Sequence, residues 1–152
     1  SIYREIFAKS EQQLDMQAEI YQISDISKSI LECISIKQLQ EKRKKNYCQL
    51  KGKLKNIPVK DVLSTDNFVP LVYPVYVENR NQFRQYLMEN KIYCAVHWPL
   101  TGTELENDTD AVKIYENIIS LPIDQRYEGM HMEYLAQVIK AYFKEEKQDG
   151  IN

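Results

Sequence analysis

The hydrophobic periodicity of this 152-residue chain changes near Pro58, and this change constrains the fold more than any other feature. Before Pro58, apolar residues recur every three to four positions, which is typical of amphipathic helices. Beyond it, the run 69–77 is rich in β-branched and aromatic residues and predicts a strand. We therefore expect helices up to about residue 57, then an irregular connection, then a small α/β layer.

Three helices are predicted in the first part. Residues 2–19 place their apolar side chains on one helical face. Ser24 can cap a short second helix, because its side-chain oxygen can accept a hydrogen bond from a first-turn backbone amide. Ser35 and Gln38 fit a capping box that starts a third helix. The apolar stripe of this third helix consists of Ile36, Leu39, Tyr47, Leu50 and Leu54.

A basic run, 42–45, lies within the third helix. The net charge of −2 is unevenly distributed, with an excess of Lys and Arg in the first 60 residues. Most lysines of the run fall away from the apolar stripe and indicate a solvated face. The aromatic residues that would line a nucleic-acid groove are missing, so no nucleic-acid partner is expected. Arg43 lies on the stripe itself, where its guanidinium needs a partner, and we favour a structural role over a ligand contact.

Strands and helices alternate in the second part. This gives the order β-α-β-α-β-α, with helices packed on a three-stranded sheet whose strand order the pattern leaves open. The predicted strands are 69–77, 92–98 and 120–123. The predicted helices begin at Asn79 or Asn81, at Asp108 or Thr109, and at Met130, and they end near residues 90, 118 and 147.

Composition and motifs exclude several classes of protein. No apolar run approaches the roughly 20 residues of a membrane span, and no signal-peptide pattern is present. The three cysteines are odd in number and widely spaced, which argues against a disulfide framework and favours a reducing cytoplasm. The glycine-rich nucleotide loops, the GxSxG motif and the HExxH motif are missing. A start at Ser1 without Met, followed at once by a helical pattern, suggests a piece of a longer protein.

The string His97-Trp98-Pro99 is the most unusual in the chain. Its two rings leave a predicted strand just before a proline turn, which suits the rim of a cleft. The alternative is that one ring packs inward and the other covers the sheet edge. Arg126 is a second candidate, because a guanidinium can clamp a carboxylate or phosphate. The alternative there is that Asp124 and Arg126 only stabilise the turn into the last helix.

Catalytic or metal sites built from His and Cys are not expected. Cys94 and His97 are three residues apart in a predicted strand, and this spacing puts their side chains on opposite faces. His97 and His131 fall in different elements, and no further metal ligands accompany them. We therefore expect no catalytic residue and no metal site in this chain.

Five strings of the chain occur in an order and at a spacing that match a known family. They are 23–25, 41–47, 73–75, 90–99 and 121–127. Together they resemble the C-terminal part of DegT-type aminotransferases. These are PLP-dependent enzymes of fold-type I, best known for transaminating keto sugars attached to nucleotides. The resemblance spans roughly residues 4–145.

The resemblance implies a parent enzyme with further parts. In the family a large PLP-binding domain comes first, and connecting helices and a small C-terminal α/β domain follow, which here would be residues 1–57 and 66–147. The enzymes of the family are usually dimers, so the parent is expected to be a homodimer. The Schiff-base lysine and the other PLP-holding groups lie upstream and cannot be placed here. The chain alone is therefore expected to bind no cofactor and to be inactive. His97, Trp98 and Arg126 are the expected contacts with a nucleotide-sugar substrate.

One family motif is altered in this chain. Ahead of the Ser-Asp pair, the family often has Asn-x-Arg-Met, whose Asn reaches the PLP phosphate of the neighbouring subunit. Here those positions read Ile20-Tyr21-Gln22-Ile23. Two interpretations follow. The chain belongs to a divergent PLP-dependent aminotransferase, or to a non-catalytic relative that kept the scaffold as a binding or interaction module.

Overall fold

A computed structural model describes residues 2–61, 68–97 and 109–149. The chain divides into two compact units, Ser1–Ser35 and Ile36–Asn152. Within the described residues, no helix is both long enough and apolar enough to cross a membrane. Trp98 falls outside the described residues.

The first unit contains two helices, α1 (Ile2–Asp15) and α2 (Asp25–Cys33). The predicted cap of α2 is confirmed, because the Ser24 hydroxyl oxygen accepts a hydrogen bond from the Ser27 backbone N–H at 3.2 Å. Helix α1 ends at Asp15, four residues before the predicted end. Every described side chain between residues 2 and 35 is exposed. These two helices therefore have no buried core of their own.

The second unit contains the other helices of the described chain. They are α3 (Ile36–Lys53), α4 (Arg80–Glu89), α5 (Thr109–Asn117) and α6 (Gly129–Asp149). Tyr47, Leu50 and Leu54 of the predicted α3 stripe are buried, whereas Ile36 is exposed. This stripe packs α3 against α6. Helix α3 is thus part of the same compact unit as the sheet.

The sheet is small and antiparallel. Strand β2 (Tyr73–Tyr76) pairs with β3 (Ile118–Leu121), with Tyr73 opposite Leu121 and Tyr76 opposite Ile118. A two-residue strand, β1 (Lys60–Asp61), pairs antiparallel with the other edge of β2. The strand order is therefore β1-β2-β3.

The predicted three-stranded sheet of 69–77, 92–98 and 120–123 is not confirmed. Among the described residues of 92–98, only Ala95 forms a bridge, through a hydrogen bond from the Ser120 N–H to its carbonyl at 3.2 Å. The preceding carbonyl, that of Cys94, accepts from the Arg84 guanidinium instead of from a strand. A side chain thus takes the place of ladder pairing in this segment.

The boundaries of the two longer strands also differ from the prediction. Strand β2 covers only Tyr73–Tyr76 of the predicted strand 69–77. Strand β3 begins at Ile118, directly after α5, and ends before Pro122. Pro122 has no backbone N–H and cannot donate to a ladder. The predicted strand 120–123 therefore overlaps β3 only in its first half.

The core of the second unit lies between the sheet and helices α3, α4 and α6. Phe83 of α4 is fully buried, and its ring centroid lies 5.0 Å from that of Tyr142 and 5.7 Å from that of Phe143. Val75 and Ile119, paired across β2 and β3, are also buried. The amphipathic pattern predicted for the last helix is confirmed for Leu135, Val138, Ile139, Tyr142 and Phe143, which are buried together with Met132 and Ala136. Tyr134, which the pattern also places on this face, is exposed.

Candidate functional site

The turn between β3 and α6, residues 122–128, is held by one buried side chain of α3. Asn46 is 1% exposed. Its Nδ2 donates to the carbonyl oxygens of Ile123 at 3.2 Å, Asp124 at 3.0 Å and Tyr127 at 3.0 Å. The backbone of the turn, which carries the candidate Arg126, is therefore fixed to α3 rather than left to solvent.

Arg126 forms a paired hydrogen bond with Asp124 in this turn. Its Nε donates to Asp124 Oδ1 and its Nη2 donates to Asp124 Oδ2, both at 2.8 Å. Asp124 Oδ1 also accepts from the Arg126 backbone N–H at 3.0 Å. Hydrogen bonding to Arg126 holds the pKa of the Asp124 carboxyl below its usual value. The Arg126 side chain remains 76% exposed, so its guanidinium is oriented by Asp124 and still open to solvent.

Arg43 lies on the same face of α3 and also reaches the turn. Its Nε donates to Gln125 Oε1 at 2.9 Å, and its Nη1 donates to the Pro70 carbonyl at 3.4 Å. These contacts join α3, the turn and the segment before β2. They support the structural role favoured for Arg43 from its position on the stripe.

The basic run beside Arg43 is only partly solvated. Lys44 and Lys45 are exposed, as predicted. Lys42 forms an ion pair with Glu128, at the other end of the turn. Hydrogen bonding to Lys42 lowers the pKa of the Glu128 carboxyl. The run thus contributes one more link between α3 and the turn.

His97 is half-buried at the end of the described segment 68–97. Trp98 lies outside the described residues. Cys94 is buried, and burial raises the pKa of its thiol to about 12. A thiol in this state supplies almost no thiolate near neutral pH. Within the part of the chain that is described, no group of three or more His, Cys, Asp or Glu side chains is placed to hold a metal ion.

Asn46 is the residue that the sequence reasoning missed. It lies seven positions after Leu39 and four before Leu50, so it falls on the apolar stripe of α3. A polar residue on a buried stripe needs hydrogen-bond partners. Its position on the stripe indicated that Asn46 needs partners. The sequence did not identify them, because the carbonyls that accept its hydrogen bonds lie 77 to 81 residues away.

The altered cofactor motif lies between α1 and α2. Ile20 is fully exposed there, and Tyr21 is largely exposed. The aliphatic side chain of Ile20 has no group that can hydrogen-bond a phosphate. The Tyr21 hydroxyl donates to Glu19 at 2.6 Å. Ile20 therefore does not fit the phosphate contact that the resemblance implies for an Asn at this position.

Solved structures of sugar aminotransferases share the fold of this chain. A sugar aminotransferase of Streptococcus pneumoniae in its PMP form is 20% identical over 72% of this chain and 32% of its own, with a TM-score of 0.65. A sugar aminotransferase from Micromonospora echinospora is 17% identical over 73% of this chain and 32% of its own, with a TM-score of 0.64. A DegT DnrJ EryC1 StrS aminotransferase of Brucella abortus is 16% identical over 68% of this chain and 31% of its own, with a TM-score of 0.58.

Sequence comparisons do not add to this result. No family model and no curated protein matches the chain. The chain spans about one third of the length of the aminotransferases it resembles. The resemblance to sugar aminotransferases is therefore confirmed at the level of the fold, and the chain has the fold of one part of such an enzyme.

Proposed function

We propose that this chain forms the small C-terminal part of a PLP-dependent aminotransferase that transfers an amino group to a keto sugar attached to a nucleotide. The observation that carries the proposal is the asymmetry of coverage: 72% of this chain corresponds to 32% of the aminotransferase from Streptococcus pneumoniae. The same enzyme has a PLP form with the same asymmetry. The remaining part, a large PLP-binding domain, would lie outside this sequence.

The contribution proposed for this chain is contact with the substrate. A nucleotide sugar carries phosphate groups, and a guanidinium can donate paired hydrogen bonds to phosphate oxygens. Arg126 supports this role because Asp124 orients it while most of its side chain stays exposed. His97 and Trp98 are proposed as further contacts from the resemblance. No catalytic residue is proposed in this chain, which alone would be inactive, and PLP would be held by groups outside it.

The exposed apolar surface of the first unit is further support for a missing partner domain. Its helices α1 and α2 expose large apolar side chains, which are stabilised only when another surface covers them. Six of these side chains are Ile2, Ile6, Phe7, Leu14, Ile26 and Ile30. We propose that the large domain covers them and that the parent is a homodimer.

A second candidate function is a non-catalytic binding module on the same scaffold. The observation that favours it is Ile20, which replaces the Asn expected at the PLP phosphate and is fully exposed. In this case the exposed apolar side chains of α1 and α2 would serve a protein partner instead of a PLP-binding domain.

The coding sequence ahead of Ser1 separates the two candidates. The aminotransferase proposal expects a large domain there with a Schiff-base lysine. The full-length protein should then bind PLP and transfer an amino group to a keto-sugar nucleotide. A parent without that lysine would refute the proposal and leave the binding module. The 152-residue chain mixed with PLP should show no stoichiometric absorbance band in the visible range, and such a band would contradict the proposed division of roles.

A further inference from the structure

A small cavity opens in the second unit, at a place that the proposed function does not use. It has a volume of about 230 Å³ and lies between residues 91–93, Pro122 and the first two turns of α6. Ile92, Met132 and Leu135 supply buried apolar surface to it. Its aromatic lining consists of Tyr93, Tyr127, His131 and Tyr134. We call this space the aromatic cavity.

Two rings of the aromatic cavity face solvent to an unusual degree. Tyr93 is 67% exposed and Tyr134 is 48% exposed. Exposed aromatic surface beside a buried apolar floor is typical of sites that bind a ligand. A cavity of about 150 Å³ is already large enough for a benzene ring. The volume here therefore suffices for one ring and one small substituent.

Hydrogen bonds fix the walls of the aromatic cavity in advance. The Tyr134 hydroxyl donates to the Asn90 carbonyl at 3.0 Å, which ties α6 to the end of α4. Lys91 adopts a left-handed conformation with φ of 62°, and its N–H donates to the Met88 carbonyl at 3.0 Å. Asn46 fixes the Tyr127 backbone on the opposite side. Binding of a ligand would therefore cost little conformational entropy in these side chains.

The ring of His131 is oriented as well. Its Nδ1 accepts a hydrogen bond from the Glu128 backbone N–H at 2.9 Å, and the ring lies edge-on to Tyr127. In the neutral imidazole, the proton then resides on Nε2. The lining of the cavity thus includes a nitrogen that can donate to an acceptor on a ligand.

One lysine, Lys91, is among the residues that line the aromatic cavity. Glu128 of the turn 122–128 and Glu133 of α6 form ion pairs with Lys42 and Lys53 of α3. Lys91 lines the cavity and takes part in no ion pair with any residue of the described segments. Among the lining residues, Lys91 is therefore the lysine available to pair with an anionic ligand.

We propose that the aromatic cavity binds a small planar aromatic anion. The ligand would be a single ring that carries one phosphate or carboxylate group and no other substituent, which excludes PLP with its four ring substituents. Its ring would lie against the tyrosine side chains, and its anionic group would be bound by Lys91. This site is independent of the proposed aminotransferase function and would persist in a non-catalytic relative.

Phenyl phosphate is the probe that tests the proposal, since it combines the ring and the anion. Its two halves, phenol and inorganic phosphate, serve as matched controls. In ¹H–¹⁵N NMR titrations of the 152-residue chain, phenyl phosphate should cause saturable shifts at the amides of 91–93 and 127–135. It should bind more tightly than either control. Equal affinity for inorganic phosphate, or no saturable shift at these amides, would overturn the proposal.

Variants separate the contributions of charge and ring. Lys91→Gln should weaken phenyl phosphate binding by up to about fivefold, the scale of an exposed ion pair, and leave phenol binding unchanged. Lys91→Arg should retain most of the affinity, and Lys37→Gln, an exposed lysine at the start of α3, should have no effect. Tyr93→Ala should weaken phenol and phenyl phosphate alike by about threefold or more.

Ionic strength gives the same test without a substitution. Added salt should weaken phenyl phosphate binding and leave phenol binding unchanged, because screening acts only on the charged group. If Lys91→Gln or added salt leaves phenyl phosphate binding unchanged, the assignment of the anion to Lys91 is wrong.

Discussion

Asn46 and Tyr127 are joined by a hydrogen bond although 81 positions separate them in the sequence. The Asn46 amide serves three carbonyls of one turn, and the turn carries Arg126 on one side and Tyr127 of the aromatic cavity on the other. One buried amide on α3 therefore organises both the proposed substrate contact and the wall of a second site.

Asn46→Ala should destabilise the second unit by about 1–3 kcal/mol. The substitution removes the donor from one buried and two partly buried hydrogen bonds. Carbonyls left unsatisfied away from water retain their desolvation cost. Urea denaturation followed by circular dichroism measures the change. Gln40→Ala, at an exposed position of the same helix, is the matched control and should stay within about 0.5 kcal/mol. Equal stability of the two variants would show that the turn does not depend on Asn46.

The helical part of the fold was predictable because its signals are local. The stripe that buries Tyr47, Leu50 and Leu54 is readable from spacing, and so is the cap at Ser24. The sheet was less predictable. Strand β1 has two residues, too few for any periodic pattern to appear.

Long-range contacts decided the remaining features of the second unit. Segment 92–98 has the composition of a strand, yet among its described residues, 92–97, only Ala95 bridges to β3, and the Arg84 guanidinium donates to the Cys94 carbonyl. In the candidate site, the pairing of Asp124 with Arg126 was foreseeable, because the two residues are neighbours in one turn. The hydrogen bonds from Asn46 to that turn were not foreseeable, because they depend on how α3 packs against α6.

Acidification should remove the stabilisation that Asp124 provides. The pKa of Asp124 is lowered in the folded chain, first of all by hydrogen bonding to Arg126. A carboxyl of this kind stabilises the fold above its unfolded pKa of about 3.9, and the stabilisation is lost as the pH falls through the lower folded value.

The measurement is the free energy of unfolding of the wild type and of Asp124→Asn between about pH 7 and pH 3. The difference between the two should shrink as the pH falls below about 4. Glu128 and Glu133 have lowered pKa values as well, but they are present in both proteins and cancel in the difference. A difference that is constant over this range would mean that the pairing of Asp124 with Arg126 adds nothing to stability.

Thiol reagents should distinguish the cysteines in the folded chain. Cys33 and Cys48 are exposed, whereas Cys94 is buried and its thiol pKa is raised to about 12. Ellman's reagent at neutral pH should therefore modify two thiols quickly and the third only in denaturant. Cys94→Ala should leave the fast phase unchanged, and Cys48→Ala should halve it. Rapid modification of all three thiols in the native protein would contradict the buried position of Cys94.

In the full-length parent, His97→Ala tests the proposed substrate contact. If His97 lines the substrate cleft, kcat/KM for the nucleotide sugar should fall while the Tm changes little. A loss of Tm with unchanged kcat/KM would assign His97 to packing, which its half-buried position also permits. Steady-state kinetics and thermal denaturation on the same preparations separate the two outcomes.

A Leu→Ala substitution should reduce the free energy of unfolding much more in the second unit than in the first. Leu50 is fully buried on α3, so Leu50→Ala should cost about 2–5 kcal/mol through lost apolar contact and the cavity left behind. Leu31 on α2 is 54% exposed, so Leu31→Ala should cost less than about 0.5 kcal/mol in the isolated chain. Comparing Leu31→Ala in the chain and in the full-length parent then tests what covers α2. A larger cost in the parent supports packing of α2 on the large domain, and an unchanged cost would refute that part of the proposal.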